Sequence, residues 1–183
     1  MALVYKLLNK VIEGDQMDSK QLENFAKMSL PKWDELPNIE LHLDQVIDLA
    51  NNYLRPLEVD LLTPTMMHNY LKQAVIIRPQ GKLYGRMQLA AVIIIGCLKS
   101  ILSLDEIKRG FEAELKLTSS RRAYNNFVNA FNEEVQRISQ HGPRNLWNEL
   151  LAETAVVSLQ HSAIISMLTK KMAKDLLSDL EEK

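Results

Sequence analysis

Apolar residues recur at spacings of three and four through most of the chain, the period of amphipathic helices, and no stretch of any length alternates with the period of a strand. Residues 3–12 read as a first short helix, stopped by Glu13-Gly14-Asp15. Residues 20–28 read as a second, with Asp18 placed as N-cap and Gln21 as its capping-box partner. The connector SLPKWDELPN at 29–38 carries two prolines and a tryptophan and reads as ordered rather than flexible. Ile39, Leu43, Val46, Ile47, Ala50, Tyr53 and Leu54 then form one apolar stripe, a third helix. Further helices follow at 64–74, 87–102, from Ser103 through 115, at 118–140 and at 144–180. Three of these starts are signposted. Thr63-Pro64 pairs a capping hydroxyl with a proline suited to the first helical position. Ser103-Leu104-Asp105-Glu106 is a complete S-x-x-E capping box, and Thr118, Ser119 and Ser120 are all capping residues. Gly142-Pro143 stops the penultimate helix.

In the helix at 64–74, Met67, Tyr70, Leu71 and Ala74 share one face, which leaves Thr65, His68, Asn69 and Lys72 on the other. A hydroxyl, an imidazole, an amide and an ammonium on a solvent face are groups able to contact base edges and phosphates in a major groove. Every amphipathic helix must also have some polar face, so this alone decides little. After the helix, Pro79 at the second and Gly81 at the fourth position suit a type I turn over 78–81. Two very short strands around it would form a wing, with Arg78 and Lys82 near the tip and Arg86 just beyond.

Charge sharpens this picture. The overall balance is −1, yet residues 61–104 carry five basic side chains (Lys72, Arg78, Lys82, Arg86, Lys99) and no acidic one. Residues 1–60 carry six basic against eleven acidic groups, and residues 105–183 eleven against twelve. A basic patch on an otherwise acidic chain is the electrostatic footprint of nucleic-acid contact. Part of the gap has a plainer origin: the run at 87–102 reads as a buried helix, and buried helices lack carboxylates in any case.

Other chemistry is scarce. There is no Gly-rich phosphate loop, no H-E-x-x-H, no Cys/His cluster and no nucleophile elbow, so neither an enzyme, a metal nor a cofactor is expected. The single cysteine, Cys97, lies in LAAVIIIGCL and reads as a core thiol. Met66, Met67 and Met87 read as core fillers, and His161 as a hydrogen-bonded core histidine. No apolar run is long enough to span a bilayer, and the first fifteen residues make a poor signal peptide, so a cytoplasmic protein without membrane contact is expected. In residues 150–168, twelve of nineteen side chains are aliphatic, Ala or Met and surround the helix. Such a helix is either central to a bundle or shared with a second copy, so a homodimer through residues 144–180 and a monomeric bundle both remain open.

The stretch LTPTMMHNYLKQAVIIRPQGKLYGRMQLAAVIIIGCLKSILSLDEIK resembles the winged helix-turn-helix of MerR-type regulators. It shares a capped recognition helix with a Tyr, an apolar pair after it, a Pro-containing basic wing, and a Ser-Leu-Asp-Glu-Ile start to a later helix. Residues 30–110, including LPKWDELPNIELHLDQVIDLANNYL, look still more like a bacterial domain-of-unknown-function family (DUF1836-like) with a MerR-like core. The resemblance implies a mostly α fold: a winged helix-turn-helix with a minimal β-hairpin wing, plus additional N- and C-terminal helices. It divides the chain into N-terminal helices at 1–30, the winged domain at 31–116 and a C-terminal helical region at 117–183, the last a candidate for dimerisation. It also implies a DNA-binding transcriptional regulator whose partner is double-stranded DNA. Thr65, His68, Asn69, Lys72 and Gln73 would face the bases, and Arg78, Lys82 and Arg86 the phosphates. The alternative is a helical protein-interaction or small-molecule-sensing module that no longer binds DNA. Besides a short wing, two departures from the MerR pattern stand out. Ala74 occupies the place of a usual glycine and disfavours a left-handed cap there, and the segment 54–62 is longer than the usual inter-helix turn.

Overall fold

A computed structural model describes residues 19–141 and 155–181. These form α1 (Ser19–Ala26), α2 (Leu43–Leu54), α3 (Pro64–Lys72), α4 (Arg86–Leu98), α5 (Leu104–Leu117), α6 (Ser120–His141) and α7 (Ala155–Glu181), with 3-10 turns at Trp33–Glu35 and Arg55–Leu57. The protein is mostly α. The helix expected at 3–12, the Asp18 cap and the Gly142-Pro143 stop lie outside the described residues. Among the described residues there is no β-strand: extended pairing is limited to isolated antiparallel bridges between Leu41 and Tyr84 and between Gln80 and Leu83.

Helix starts follow local chemistry. The Thr63 hydroxyl accepts from the Met66 N–H at 3.3 Å. Ser103 and Glu106 cap each other, the Ser103 hydroxyl accepting from the Glu106 N–H at 3.3 Å and the Glu106 carboxylate from the Ser103 N–H at 2.8 Å. Hydrogen bonds from the Ser103 hydroxyl and backbone hold that carboxyl below its ordinary value. Of the three capping candidates before α6, Ser119 acts, its hydroxyl accepting from the Arg122 N–H at 3.4 Å. Several boundaries differ from the sequence reading by a few residues, and two of them have a visible cause. The third helix begins at Leu43 rather than near Ile39, which precedes the Leu41 bridge and is 65% exposed. Helix α4 runs from Arg86 and stops at Leu98, after which the chain only turns, with Ile101 and Leu102 N–H both donating to the Leu98 carbonyl at 2.9 Å.

Helix α4 is the centre of the core, with Gln88, Leu89, Ala90 and then Val92 through Leu98 all buried. It packs on α2, α5, α6 and α7. Gly96 permits the packing on α2: a β-carbon there would overlap the Leu54 side chain, so the helix carries a residue that costs about 1 kcal/mol in propensity to make room for it. Cys97 is fully buried, and burial pushes its thiol up to about 12. Met67 joins the core, whereas Met66 is half-buried and Met87 is 37% exposed. Both of these sulfurs accept hydrogen bonds, from Lys99 Nζ at 3.4 Å and from the Ser120 hydroxyl at 3.6 Å.

The connector between α1 and α2 is ordered because α6 holds its backbone. The Asn132 side chain accepts from the Leu30 N–H (2.9 Å) and donates to the Leu30 carbonyl (3.0 Å), and Asn125 Oδ1 accepts from the Trp33 N–H at 2.8 Å. Trp33 also stands edge-on to Tyr124, with ring centroids 6.1 Å apart. Helix α7 is not buried all round in its described part. Ala163, Ile164, Ile165, Met167, Leu168 and Met172 are buried, while Ser162, Ser166, Thr169 and Lys170 face solvent. Its apolar face is covered within this chain by α4, α5 and α6. Lys171, only 7% exposed, is held between Glu58 at 2.8 Å and Asp175 at 3.1 Å, which ties α7 to the segment leading into α3. No helix among the described residues is long and apolar enough to cross a membrane.

Candidate nucleic-acid interface

Helices α2 and α3 are joined by residues 55–63, and that long connection is fastened at one point. The Asn51 amide of α2 donates to the Leu62 carbonyl at 3.0 Å and accepts from the Leu62 N–H at 2.8 Å, all in a buried setting. The side chain thus imitates a strand partner for one residue and satisfies both buried backbone groups. Glu58, with φ +53°, turns the chain before this point. A single asparagine therefore fixes where α3 begins relative to α2, and nothing in the linear sequence marks Asn51 for that role.

Along α3, Met67 and Tyr70 are buried and Leu71 is half-buried. Thr65, His68, Asn69 and Lys72 are exposed, as is Gln73 at the helix end. Gln73 Nε2 donates to Asn69 Oδ1 at 3.0 Å, so one turn of the face presents two coupled amides, leaving the Asn69 NH2 and the Gln73 carbonyl oxygen outward. Lys108 of α5 donates from Nζ to the Gln73 backbone carbonyl at 3.5 Å. This cation sits beside the helix C-terminus, where positive charge is favoured, and it comes from 35 residues away, too far for sequence spacing to reveal.

Ala74 departs from both expectations made for it. It is exposed rather than on the inner face, and it adopts φ +52°, the left-handed conformation that a non-glycine residue disfavours. The bonds around it form a full Schellman motif, with the Val75 N–H donating to the Tyr70 carbonyl (3.0 Å) and the Ala74 N–H to the Leu71 carbonyl (3.2 Å). Left-handed geometry costs an alanine about 1–2 kcal/mol. The turn it makes sends Val75 and Ile76 into the core, and burying two such side chains contributes about 1.5–3 kcal/mol each. Packing outweighs propensity.

The turn lies at 80–83, not at 78–81. The Leu83 N–H donates to the Gln80 carbonyl at 3.3 Å, and Gly81 takes the first central position at φ +64°, the place where primed hairpin turns need positive φ. Leu83 and Gln80 form one bridge and Tyr84 pairs with Leu41 instead, so the anticipated pair of wing strands does not form. Tyr84 and Leu41 exchange both backbone hydrogen bonds, at 2.8 and 2.9 Å, which anchors the far side of the turn to the residues before α2.

The five cations of the acid-free segment divide into two groups. Lys72, Arg78 and Lys82 are exposed and make no ion pair among the described residues. Arg86 is withdrawn: its guanidinium lies 3.8 Å from Asp34, its Nε donates to the Pro37 carbonyl at 3.4 Å, and its side chain is 18% exposed. Asp34 is shared with Arg121 of α6. Lys99 is half-buried against Met66, and desolvation lowers its ammonium below the ordinary lysine value, partly opposed by the Asp60 carboxylate. Three free cations beside one polar helix face therefore remain of the five.

Among the described residues, no group of three or more His, Cys, Asp or Glu side chains is arranged to hold a metal ion. The family profile described as "Domain of unknown function (DUF1836)" matches residues 31–132, from the connector before α2 to just past the middle of α6. No curated protein and no solved structure matches the chain. The matched stretch contains α2, its Asn51 fastening, the α3 face and the basic turn, and the chain belongs to the DUF1836 family.

Proposed function

We propose that this protein is a transcriptional regulator that binds double-stranded DNA through α3 and the turn at 80–83, as a MerR-like helix-turn-helix with its wing reduced to a tight turn. The observation that carries this reading is one exposed face, Thr65, His68, Asn69, Lys72 and Gln73, beside Arg78 and Lys82, which like Lys72 make no ion pair among the described residues, in a segment without a single acidic residue. The coupled Asn69 and Gln73 amides offer a donor and an acceptor side by side, the pattern with which such side chains read adenine in a major groove. Arg78 and Lys82 would hold phosphates. Arg86, paired with Asp34, would orient the turn rather than touch the backbone.

Two phosphate contacts per chain give a salt slope of roughly −2 in log K against log salt, too shallow for tight binding by one copy. A dimer through residues 144–180 would double it. Selection of duplex DNA from random sequence, followed by titration at several salt concentrations, tests the reading. Enrichment of an inverted repeat is expected, together with about 100-fold weaker binding by a folded Lys72→Glu/Lys82→Glu variant. No retention at low salt, or unchanged binding by that variant, would leave the competing reading of a helical interaction or sensing module. The neutralisation of Arg86 by Asp34 is the observation in that reading's favour.

A further inference from the structure

The α3-to-α4 segment forms one wall of a cavity of about 680 Å³, whose other walls come from α4, α5, α6 and the start of the described part of α7. Its lining is predominantly apolar. Four of the eight large apolar side chains exposed among the described residues, Ile77, Met87, Leu115 and Leu159, gather there. Concentration of exposed apolar surface in one concavity marks a binding site rather than scattered surface residues, and the volume lies in the range of small-molecule sites.

One polar group in this lining points to what is bound. Gln88 is 9% exposed and commits its Oε1 to the Gly85 N–H at 3.0 Å. Its amide nitrogen has no acceptor among the described residues. That nitrogen is reached by water only through the cavity, and the same lining holds the Tyr124 hydroxyl, which is sealed from solvent with no partner among the described residues; such an orphan is costly unless a ligand completes it. We infer that this cavity binds a largely apolar small molecule carrying a hydrogen-bond acceptor, a carbonyl or carboxylate oxygen, received by the Gln88 amide.

Position gives the site a second consequence. Ala74 through Arg78 line the cavity, and Gln88 caps the helix that follows the basic turn. A ligand there touches both ends of the segment that carries Arg78 and Lys82. Occupancy would therefore bias how the α3 face and the turn are presented, and by linkage DNA would change ligand affinity by the same factor. This regulatory half rests on the DNA reading above, whereas the site itself does not.

Nile red, an apolar dye with one ring carbonyl and an environment-sensitive emission, is a suitable probe. Saturable binding of one dye per chain with a blue-shifted emission is expected. Gln88→Glu keeps the acceptor for Gly85 and removes the donor, so it should weaken binding at least tenfold. Gly110→Leu fills space directly: a β-carbon at Gly110, which lines the cavity in the middle of α5, meets nothing within 4 Å. Leucine is also the better helix former, so its expected tenfold loss of dye cannot be ascribed to unfolding. Unsaturable binding, or full binding by both variants, would overturn the site. So would dye capacity that falls as protein concentration rises, because a second copy would then be the occupant. If DNA binding is found and saturating dye leaves its affinity unchanged, the regulatory half fails alone. If no DNA binds at all, the earlier reading fails while dye binding still decides the site.

Discussion

Helices α3 and α4 are consecutive in the chain and equally devoid of carboxylates, yet solvent meets one whole face of α3 and hardly touches α4. In α4 the missing acids follow from burial, since almost every side chain from Gln88 to Leu98 lies in the core. In α3, the same absence falls on exposed positions beside Lys72, Arg78 and Lys82, where carboxylates would be tolerated by the fold and are missing. A gap in charge is informative about partners only where the side chains reach water. The contrast also separates what a mutation can do: changes in α4 act on the core, whereas changes on the outer face of α3 fall on side chains already in water.

The comparison can be broken most forcefully at Gly96. Valine there would collide with Leu54, and overpacking at this contact between α4 and α2 should cost about 3 kcal/mol. Urea melts of Gly96→Val read this, and an unchanged midpoint would show that the two helices are not packed so closely. A second test of the buried helix uses pH. The Cys97 thiol has an ordinary value of 9.0 and is pushed to about 12 in the fold, so the fold favours its neutral form. The stability this represents is fully present below about pH 9 and is lost as pH rises towards 12. The slope contributed is about 1.4 kcal/mol per pH unit. Unfolding free energies measured between pH 8 and 10.5 should fall accordingly, and Cys97→Ala should flatten that fall. An identical slope in the variant would mean the thiol is not the source. The smallest effect lies at the end of α3: Ala74→Gly should stabilise the protein by about 1 kcal/mol by relieving the left-handed alanine. A loss of stability instead would place Ala74 in another conformation.

Much of the helical architecture was legible because its determinants are local. Thr63-Pro64 and the Ser103/Glu106 box declare their helices within four residues, and both form the bonds their spacing implies. The apolar period found α2 through α6 with boundaries off by a few residues, and the described part of α7. The misreadings occurred where distant groups decide. Pro79 suggested a turn centred on Pro79-Gln80, whereas the antiparallel Gln80–Leu83 bridge puts Gly81 at the first central position. Ala74 was assigned by propensity, and two buried neighbours reversed it. The pairing of Arg86 with Asp34, 52 positions earlier, was likewise out of reach of local spacing. Of the candidate face, the exposure of Thr65, His68, Asn69 and Lys72 was legible from helical spacing and Gln73 came only with the family resemblance, while Lys108 and Asn51 had no signal in the sequence. The family match runs past residue 116 into α6, whose asparagines hold the connector ahead of α2.

The Asn51 fastening has a consequence in time as well as in space. The Leu62 amide belongs to a stretch without regular secondary structure, where backbone protons ordinarily exchange with water within seconds to minutes. Here it is buried and bonded to a side chain of another helix. Its exchange can proceed only when α2 and α3 separate or the core opens. Hydrogen exchange at that one position, followed by NMR, should be slowed to the rate of the core amides of α4. It would serve as a clock for how often the two helices come apart.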